Sequence, residues 1–359
     1  MSTIEIMMPF EGHAHLRQGQ LMKPILRFYL DGFLEVVIEP NLSPRSVLDV
    51  NDLIRYYDEV CFTLEELGAK EFYPLFLFQV TEETTHRMVT EMCRLPYCVG
   101  GKSYYWGTTT HSETGIKLWR RTLPALMEIR EQNKVSQQHG EMPLNYLRVS
   151  WMRREQVFFE EIAPGLLDEV PGLKISFEHL STKFGVDFVN DAPSNVHGGI
   201  TPHHADITMD DVEGGLLQPH LFCKPHAKDY SDRDAIRAAM LSGDPKFHFA
   251  SDNATHIRSK KECVGGCAGV FLGPVIPQRP VQVFVENNAA DKIDPFMSIN
   301  GRRLYNRPIP TQKLKLVNTR WRVESSYPSG VTPEYPGQNT DLVSYLAGQD
   351  VGWQIVKGE

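Results

Sequence analysis

Two histidines separated by one residue lie near the start of the chain, in the segment Gly12-His13-Ala14-His15. Side chains two positions apart on an extended strand point to the same side, so His13 and His15 can bind one metal ion together. Two histidines with ordinary hydrogen bonds would give the same pattern. The pair therefore indicates a metal site only if further ligands occupy comparable positions.

Four further potential ligands follow short apolar segments in the same way. Each has a structural explanation when taken alone, because buried histidines and surface lysines are common. Together with the first pair they complete a ligand set for two divalent cations, and histidines with a carboxylate suit Zn²⁺ in a catalytic site. The four residues are Lys102, His139, His179 and Asp252.

Lys102 needs a chemical explanation within this set, because an ammonium group offers no lone pair to a cation. A neutral lysine amine can add CO₂ to form a carbamate, whose two oxygens can bridge two metal ions. The sequence encodes only the lysine, so its carboxylation is an expectation.

These six residues must be positioned by the elements that precede them. Short apolar segments alternate with longer amphipathic ones, which predicts parallel strands alternating with helices. Eight such strands in 359 residues predict an α/β fold, a (β/α)8 TIM barrel, with catalytic groups at the carboxyl ends of the strands. No glycine-rich phosphate loop follows an early strand, which disfavours an open nucleotide-binding sheet. The predicted strands span residues 4–8, 34–38, 72–78, 97–102, 135–139, 173–179, 198–201 and 247–251.

The C-terminal part of the chain is less regular. Residues 326–339 are rich in Pro, Gly and Ser and are predicted to form a loop, whereas residues 342–356 are expected to pack against the barrel. We therefore expect one barrel domain over residues 1–359, with an extension over about 310–359.

Composition excludes several classes of protein. The net charge of −8, without any cluster of Lys and Arg, argues against a nucleic-acid partner. No apolar segment approaches the roughly 18 residues of a membrane span, and the first residues do not resemble a signal peptide. The six cysteines are scattered, as expected for reduced thiols in a cytoplasmic protein.

Taken together, these fragments resemble dihydroorotase, in particular its single-function type within the amidohydrolase superfamily. The resemblance extends from about His13 to Val356, and its motifs are highly specific in combination. They are His13-Ala14-His15-Leu16-Arg17, Glu39-Pro40-Asn41-Leu42, Lys102, Thr109-Thr110, His139-Gly140-Glu141, Phe177-Glu178-His179, Ile200-Thr201-Pro202, Asp252 with His256, and Cys267-Ala268-Gly269.

The resemblance implies a role for each predicted ligand. It implies two zinc ions per chain, bridged by carboxylated Lys102. The first zinc would be bound by His13, His15 and Asp252, and the second by His139 and His179.

The resemblance also implies substrate-binding residues. Arg17, Asn41 and His256 resemble the residues that bind the substrate carboxylate, a role that suits a planar guanidinium. Lys224, Ala268 and Gly269 resemble residues that contact the substrate ring, with Lys224 acting through its backbone. Thr109 and Thr110 resemble the tip of a mobile loop that closes over the substrate.

The implied reaction is the reversible, zinc-dependent hydrolysis of the cyclic amide of (S)-dihydroorotate to N-carbamoyl-L-aspartate, in de novo pyrimidine biosynthesis. Asp252 would be the catalytic residue that moves a proton from the attacking water to the leaving amide nitrogen. The partner would be this small substrate, and the expected assembly is a homodimer. Alternatives are another cyclic amidase such as a hydantoinase, a non-catalytic homologue that serves as an assembly partner, and a phosphotriesterase-like hydrolase.

Several positions depart from the commonest family pattern without removing a ligand. The chain has Glu11-Gly12 before the first histidine, Glu39 where the family often has Met, and residues 103–106 where Leu-Tyr-Pro is frequent. Cys263 and Cys267 are not expected to bind zinc, since no second ligand pair lies at zinc-finger spacing.

Overall fold

The computed structural model describes residues 2–109, 112, 114–144 and 148–356. Its strands are β1 (Thr3–Met7), β2 (Phe10–Ala14), β3 (Glu35–Ile38), β4 (Tyr73–Val80), β5 (Cys98–Ser103), β6 (Val135–His139), β7 (Lys174–Glu178), β8 (Val196–Ile200), β9 (Phe247–Phe249), β10 (Lys313–Arg322) and β11 (Asp350–Ile355).

Eight parallel strands form the central sheet, in the order β2-β3-β4-β5-β6-β7-β8-β9. The chain just after β9 closes the sheet against β2, because Ala14 bridges to Asn253 and the Asp252 amide donates to the His13 carbonyl at 2.9 Å. The buried Glu11 side chain strengthens this junction by accepting from the Ser251 amide at 2.7 Å. The predicted TIM barrel is therefore confirmed.

The predicted position of the first barrel strand was wrong. Residues 4–8 were expected in the barrel, but β1 pairs antiparallel with β10 in a separate three-stranded sheet, β1-β10-β11. The barrel strand is β2, which is buried at all five positions, whereas β1 is largely exposed or half-buried. The strand β10 falls in the extension, where the sequence predicted irregular structure.

Helices cover the outside of the barrel. α2 illustrates their formation: the Asp49 side chain caps its first turn by accepting from the amides of Asn51 and Asp52. Its buried residues Leu53, Tyr56, Val60 and Leu64 recur every three or four positions and so form one apolar face. None of the helices in the described part of the chain has the length and apolar character needed to cross a membrane.

The α-helices are α1 (Met22–Leu30), α2 (Val50–Glu66), α3 (His86–Cys93), α4 (Leu123–Glu131), α5 (Arg154–Glu161), α6 (Ala163–Glu169), α7 (Lys183–Asp191), α8 (Pro202–Asp206), α9 (Met209–Glu213), α10 (Tyr230–Ser242), α11 (Arg258–Lys261), α12 (Gln278–Glu286) and α13 (Asn300–Leu304). Short 3₁₀ turns cover Gly19–Leu21, Trp119–Thr122, Trp151–Arg153, Pro219–Leu221, Gly273–Val275 and Ala290–Lys292, and a π-helical turn covers Pro295–Ile299.

Alternating strand residues divide the core into two layers. Phe76 and Phe78 of β4 belong to the large cluster between strands and helices, whereas Leu75 and Leu77 belong to a smaller one. Since successive side chains of a strand point to opposite faces, the smaller cluster fills the barrel interior. Its members are Phe10, Val37, Leu75, Leu77, Val99, Val135, Leu304 and Tyr305.

The C-terminal extension contacts the barrel and its helices through polar as well as apolar groups. The Tyr345 hydroxyl donates to the Asp206 carboxylate at 3.1 Å. The same carboxylate also accepts a hydrogen bond from the Arg279 guanidinium at 2.7 Å. The Gly352 amide of β11 donates to the Gln282 side chain of α12 at 3.1 Å. These contacts hold the extension against the barrel.

Candidate active site and metal centre

The six predicted metal ligands converge at the carboxyl ends of the barrel strands. His13 lies in β2, and His15 directly follows this strand. Lys102 lies in β5, and His139 is the last residue of β6. His179 directly follows β7, and Asp252 lies three residues after β9. All six are buried, so the fold brings together side chains that are distant in sequence.

His13, His15 and Asp252 form one group. The Asp252 Oδ1 atom lies 3.1 Å from His15 Nε2 and 3.5 Å from His13 Nε2. Two ligands bound tetrahedrally to one zinc at about 2.0–2.1 Å would be roughly 3.3 Å apart. The spacing of these three donor atoms therefore fits a single ion, and they form one of the candidate metal-binding groups of the described residues.

His139 and His179 form a second group. The His139 Nδ1 and His179 Nε2 atoms face each other at 3.1 Å. This separation also matches two ligands that share one ion. The rings of His13 and His179 lie 5.3 Å apart between centroids, so the two groups adjoin.

Lys102 lies in β5, and its side chain is fully buried. Its Nζ atom lies 3.2 Å from Gln137 Oε1 and 3.5 Å from Glu39 Oε2. Its charge contributes to lowering the pKa values of both His13 and His179. Glu39, whose other carboxylate oxygen lies 3.6 Å from His13 Nδ1, connects Lys102 with the first group.

The protonation states suit metal binding. Burial, followed by the charge of Lys102, holds the pKa of His13 well below its usual range, and burial with the neighbouring His139 does the same to His179. Burial alone would raise the pKa of Asp252, but the hydrogen bond from His15 and the proximity of His13 outweigh it, so the net shift is downward. Neutral imidazoles and an ionised carboxylate are the forms that bind metals.

Carboxylates orient two of these histidines through the ring nitrogen that faces away from the group. His13 Nδ1 lies 3.1 Å from Glu178 Oε2, and His139 Nε2 lies 2.9 Å from Glu141 Oε2. Such bonds fix the tautomer and raise the basicity of a ligating imidazole. The sequence analysis did not assign Glu178 or Glu141 a role, although each lies within two residues of a predicted ligand.

Glu39 and Tyr104 were also missed. The Tyr104 hydroxyl donates to Glu39 Oε2 at 2.6 Å, and Glu39 Oε1 lies 3.6 Å from His13 Nδ1. Both residues are buried, and Tyr104 lines the active-site cavity. The only signal in the sequence was their departure from the family pattern, which did not reveal that they contact each other.

Three site residues have left-handed backbone conformations. The φ angles are 63° at Arg17, 46° at His179 and 46° at Asp252. Residues other than glycine adopt this region at a cost of order 1–3 kcal/mol each, and such strain concentrates at functional sites. The turns after β2, β7 and β9 are thus held in unfavourable geometry by the surrounding fold.

Arg17 and His256 lie together at one side of the cavity. The Arg17 Nε atom donates to the Thr255 carbonyl at 3.0 Å, and one terminal nitrogen lies 3.3 Å from His256 Nε2. Asn41 lines the same cavity and has a buried Oδ1 atom without a hydrogen-bond partner among the described residues. These three side chains therefore present polar groups to one volume.

The loop with Ala268 and Gly269 forms another wall, together with Lys224. The Gly269 amide donates to the Phe222 carbonyl at 2.9 Å, which joins this loop to the segment before Lys224. Gly269 has a φ angle of 141°, and a Cβ atom there would lie 2.3 Å from the Ala254 carbonyl oxygen. Only glycine fits this close approach.

The predicted lid is described in part. Thr109 lines the cavity, and its carbonyl accepts from the Ser112 hydroxyl at 2.6 Å. Thr110 lies outside the described residues. Cys263 and Cys267 belong to neither candidate metal group among the described residues.

No protein-family model matches the chain. A dihydroorotase of Shewanella baltica is 32% identical to it over 355 residues, which cover 99% of this chain and 100% of the relative. The solved structure of a dihydroorotase from Campylobacter jejuni is 30% identical, with a TM-score of 0.86 and coverage of 99% of this chain and 98% of that chain. A dihydroorotase from Saccharomyces cerevisiae, in complex with 5-fluoroorotic acid, is 25% identical, with a TM-score of 0.86 and 99% of both chains covered.

An eight-stranded barrel whose strands deliver histidines and an aspartate to one mouth defines the class of metal-dependent hydrolases called the amidohydrolase superfamily. The sequence similarity to dihydroorotases, which extends over nearly the full length, identifies one family within this superfamily. The chain belongs to the dihydroorotase family.

Proposed function

We propose that this chain is a dihydroorotase, which reversibly hydrolyses the cyclic amide of (S)-dihydroorotate to N-carbamoyl-L-aspartate in de novo pyrimidine (UMP) synthesis. This proposal rests on one observation: two kinds of functional groups line the same cavity. A histidine and carboxylate cluster suited to metal ions lies beside Arg17, Asn41 and His256, which suit an acidic substrate. Family membership supports the same conclusion.

We propose that the metal site holds two Zn²⁺ ions. His13, His15 and Asp252 would bind the first ion, His139 and His179 the second, and carboxylated Lys102 would bridge them. The donor separations of 3.1 and 3.5 Å, and the donor types, fit this assignment. When bound, the ions would supply Lewis acidity toward the ring carbonyl and would make water a better nucleophile near neutral pH.

The substrate would be oriented through its carboxylate. Arg17 uses its Nε atom on the Thr255 carbonyl, which fixes the guanidinium plane and leaves the terminal nitrogens directed to the cavity. A planar guanidinium pairs with a carboxylate through two parallel hydrogen bonds. The buried Asn41 side chain and His256 would complete the carboxylate site, and the 5-fluoroorotic acid bound by the yeast relative is itself a ring acid.

The dihydroorotate ring would lie against the wall formed by Lys224, Ala268 and Gly269. The absence of a side chain at Gly269 allows this wall to pack closely against Ala254 and His256, which also line the cavity. Thr109, which lines the cavity, would belong to a loop that closes over the substrate and excludes water.

Asp252 would carry the proton through the reaction. Its carboxylate lies beside His13 and His15, so it is placed to take the proton of a water held at the metal site. It would then deliver this proton to the amide nitrogen as the ring C–N bond breaks. In the synthetic direction the same carboxylate would act in reverse.

We further propose that residues 1–359 form one domain with an extension over about 310–359, and that the chain is cytoplasmic, as its scattered cysteines predict. The resemblance supports two more proposals, that the chain forms a homodimer and that Lys102 is carboxylated.

The direct test compares purified protein on (S)-dihydroorotate and on a neutral hydantoin. We expect a preference for dihydroorotate of about 100-fold in kcat/KM, because the neutral ring cannot pair with Arg17. An equal or higher efficiency on hydantoin would make the chain a general cyclic amidase. No turnover of either ring by zinc-loaded, folded protein would support the non-catalytic homologue instead.

A further inference from the structure

A second cluster of metal-binding side chains lies outside the catalytic group. His203 and His204 belong to α8, which follows β8, and Cys223 lies in the segment after the 3₁₀ turn Pro219–Leu221. One donor atom from each residue lies within 4.8 Å of the others, and all three residues are buried. Of the residues that are described as lining the catalytic cavity, none belongs to this cluster.

His203 provides an independent indication of a missing ligand. Its side chain is fully buried, yet neither ring nitrogen has a hydrogen-bond partner among the described residues. A buried imidazole without a partner is unfavourable, because its nitrogens have lost their hydrogen bonds to water and form none within the protein. Burial, followed by the neighbouring His204, holds the pKa of His203 well below its usual range, which keeps its lone pair available.

His204 has the surroundings expected of a ligating histidine. Its Nδ1 atom lies 2.7 Å from the Thr201 hydroxyl oxygen, and its Nε2 atom lies 2.9 Å from the Pro225 carbonyl and 3.7 Å from Cys223 Sγ. A metal at Nε2 would replace the proton that this nitrogen donates to the Pro225 carbonyl, and the ring proton would move to Nδ1, where the Thr201 hydroxyl accepts it. In a metal-bound histidine, the ring nitrogen that does not bind the metal usually donates a hydrogen bond to a neighbouring oxygen.

We propose that His203, His204 and Cys223 form a binding site for one thiophilic metal ion of the Zn²⁺ class, in addition to the catalytic ions. Two imidazoles and one thiolate are a donor set that zinc accepts, with a fourth position for water. On binding, the Cys223 S–H bond breaks, its proton leaves to solvent, and the sulfur lone pair forms the bond to the metal. Burial raises the pKa of the free thiol to about 12, so the metal must displace this proton.

An ion at this position would tie α8 to the segment that carries one wall of the catalytic cavity. The Phe222 carbonyl, next to Cys223, accepts from the Gly269 amide, and Lys224 on the other side lines the cavity. The metal would therefore stiffen the support of the Ala268–Gly269 loop. Its role is structural, and it takes no part in the reaction.

Cobalt(II) provides a test that separates the two kinds of site. Metal-free protein is loaded with Co²⁺, and the near-ultraviolet thiolate-to-cobalt charge-transfer band is recorded. The proposed catalytic ligands contain no sulfur, so this band reports only a cysteine-bound ion. We expect the band in the unmodified protein at one thiolate-bound cobalt per chain, and its loss in Cys223→Ala and in His203→Gln.

The matched control is Cys93→Ala, which removes another buried thiol and should keep the full band. Absence of the band from the unmodified protein at saturating Co²⁺ overturns the proposal, whether or not the variants fold. A band that persists in Cys223→Ala, or that is lost in Cys263→Ser, also overturns it, because the exposed Cys263 would then be the ligand.

Discussion

Replacing Arg17 by glutamine should remove most of the enzyme's preference for an acidic ring. In the structure the guanidinium is held by its Nε bond to the Thr255 carbonyl at 3.0 Å and by the contact with His256 at 3.3 Å. Its remaining terminal N–H groups face the cavity that Asn41 also lines. The variant loses both the positive charge and the forked donor pair, while a chain of similar length remains.

The expected size of the effect follows from the number of bonds lost. A hydrogen bond to a charged group contributes about 1.5–3 kcal/mol, and two bonds from one guanidinium are not additive, so we take about 3 kcal/mol in total. This corresponds to a decrease of about 150-fold in kcat/KM for dihydroorotate. The Arg17→Lys variant should have a kcat/KM for dihydroorotate between those of the unmodified protein and Arg17→Gln, because lysine keeps the charge but not the planar fork.

The assay measures ring opening of dihydroorotate and of a neutral hydantoin by the same preparations. Efficiency on the neutral ring should change little, since it makes no carboxylate contact. The exposed Arg87→Gln serves as a control for the removal of an arginine and should match the unmodified protein. An equal loss on both rings, or a loss on dihydroorotate below about fivefold, would refute the assignment of Arg17.

Three further outcomes are expected. Asp252→Asn should stay folded, with a melting temperature near that of the unmodified protein, but its turnover should fall by at least about 100-fold; near-normal turnover would exclude the proton-transfer role. Glu178→Gln weakens the acceptor of His13 Nδ1 and should lower zinc affinity by about 10–100-fold in a competition titration with a chelator, whereas unchanged affinity would show that this contact does not tune the ligand. Burial raises the pKa of Glu155 to about 7, above its value in the unfolded chain, so its contribution to folding is present at low pH and is lost as pH rises through 7. The difference in unfolding free energy between the unmodified protein and Glu155→Gln should therefore shrink by up to about 3 kcal/mol between pH 5 and pH 8 in urea titrations, and a constant difference would contradict this reasoning.

The barrel and the convergence of its ligands could be predicted from sequence, because each ligand lies at or just after a short buried strand. His139 ends β6, and His179 directly follows β7. In a barrel of parallel strands, the carboxyl ends of all strands lie at the same mouth, whatever the length of the intervening helices. For these ligands, the position at the end of a strand is therefore enough to predict the position in the barrel.

Contacts between distant segments could not be predicted in this way. The strand β1 has an apolar pattern like that of a barrel strand, but its partner β10 lies more than 300 residues away, as the pairing of Thr3 with Val317 shows. The contact of Tyr104 with Glu39 likewise depends on the register of three successive strands, β3, β4 and β5. Periodicity along one segment contains no record of these pairings.

The position of β2 was missed for a different reason. Its sequence, Phe-Glu-Gly-His-Ala, has no β-branched residue, and polar contacts accompany the burial of Glu11 and His13. Glu11 is fully buried because it accepts from the amides of His13 and Ser251, not because it is apolar. A functional strand can therefore depart from the hydrophobic pattern that identifies its neighbours.

The most direct measurement is the turnover of dihydroorotate by metal-free protein as Zn²⁺ is added back. We would use the Cys223→Ala chain, so that the additional site proposed above does not compete for the metal. The account predicts no turnover without metal and a rise that is complete at two zinc ions per chain. Full turnover by the metal-free chain, or none after two ions are bound, would contradict the central claim that these six side chains hold a catalytic zinc pair.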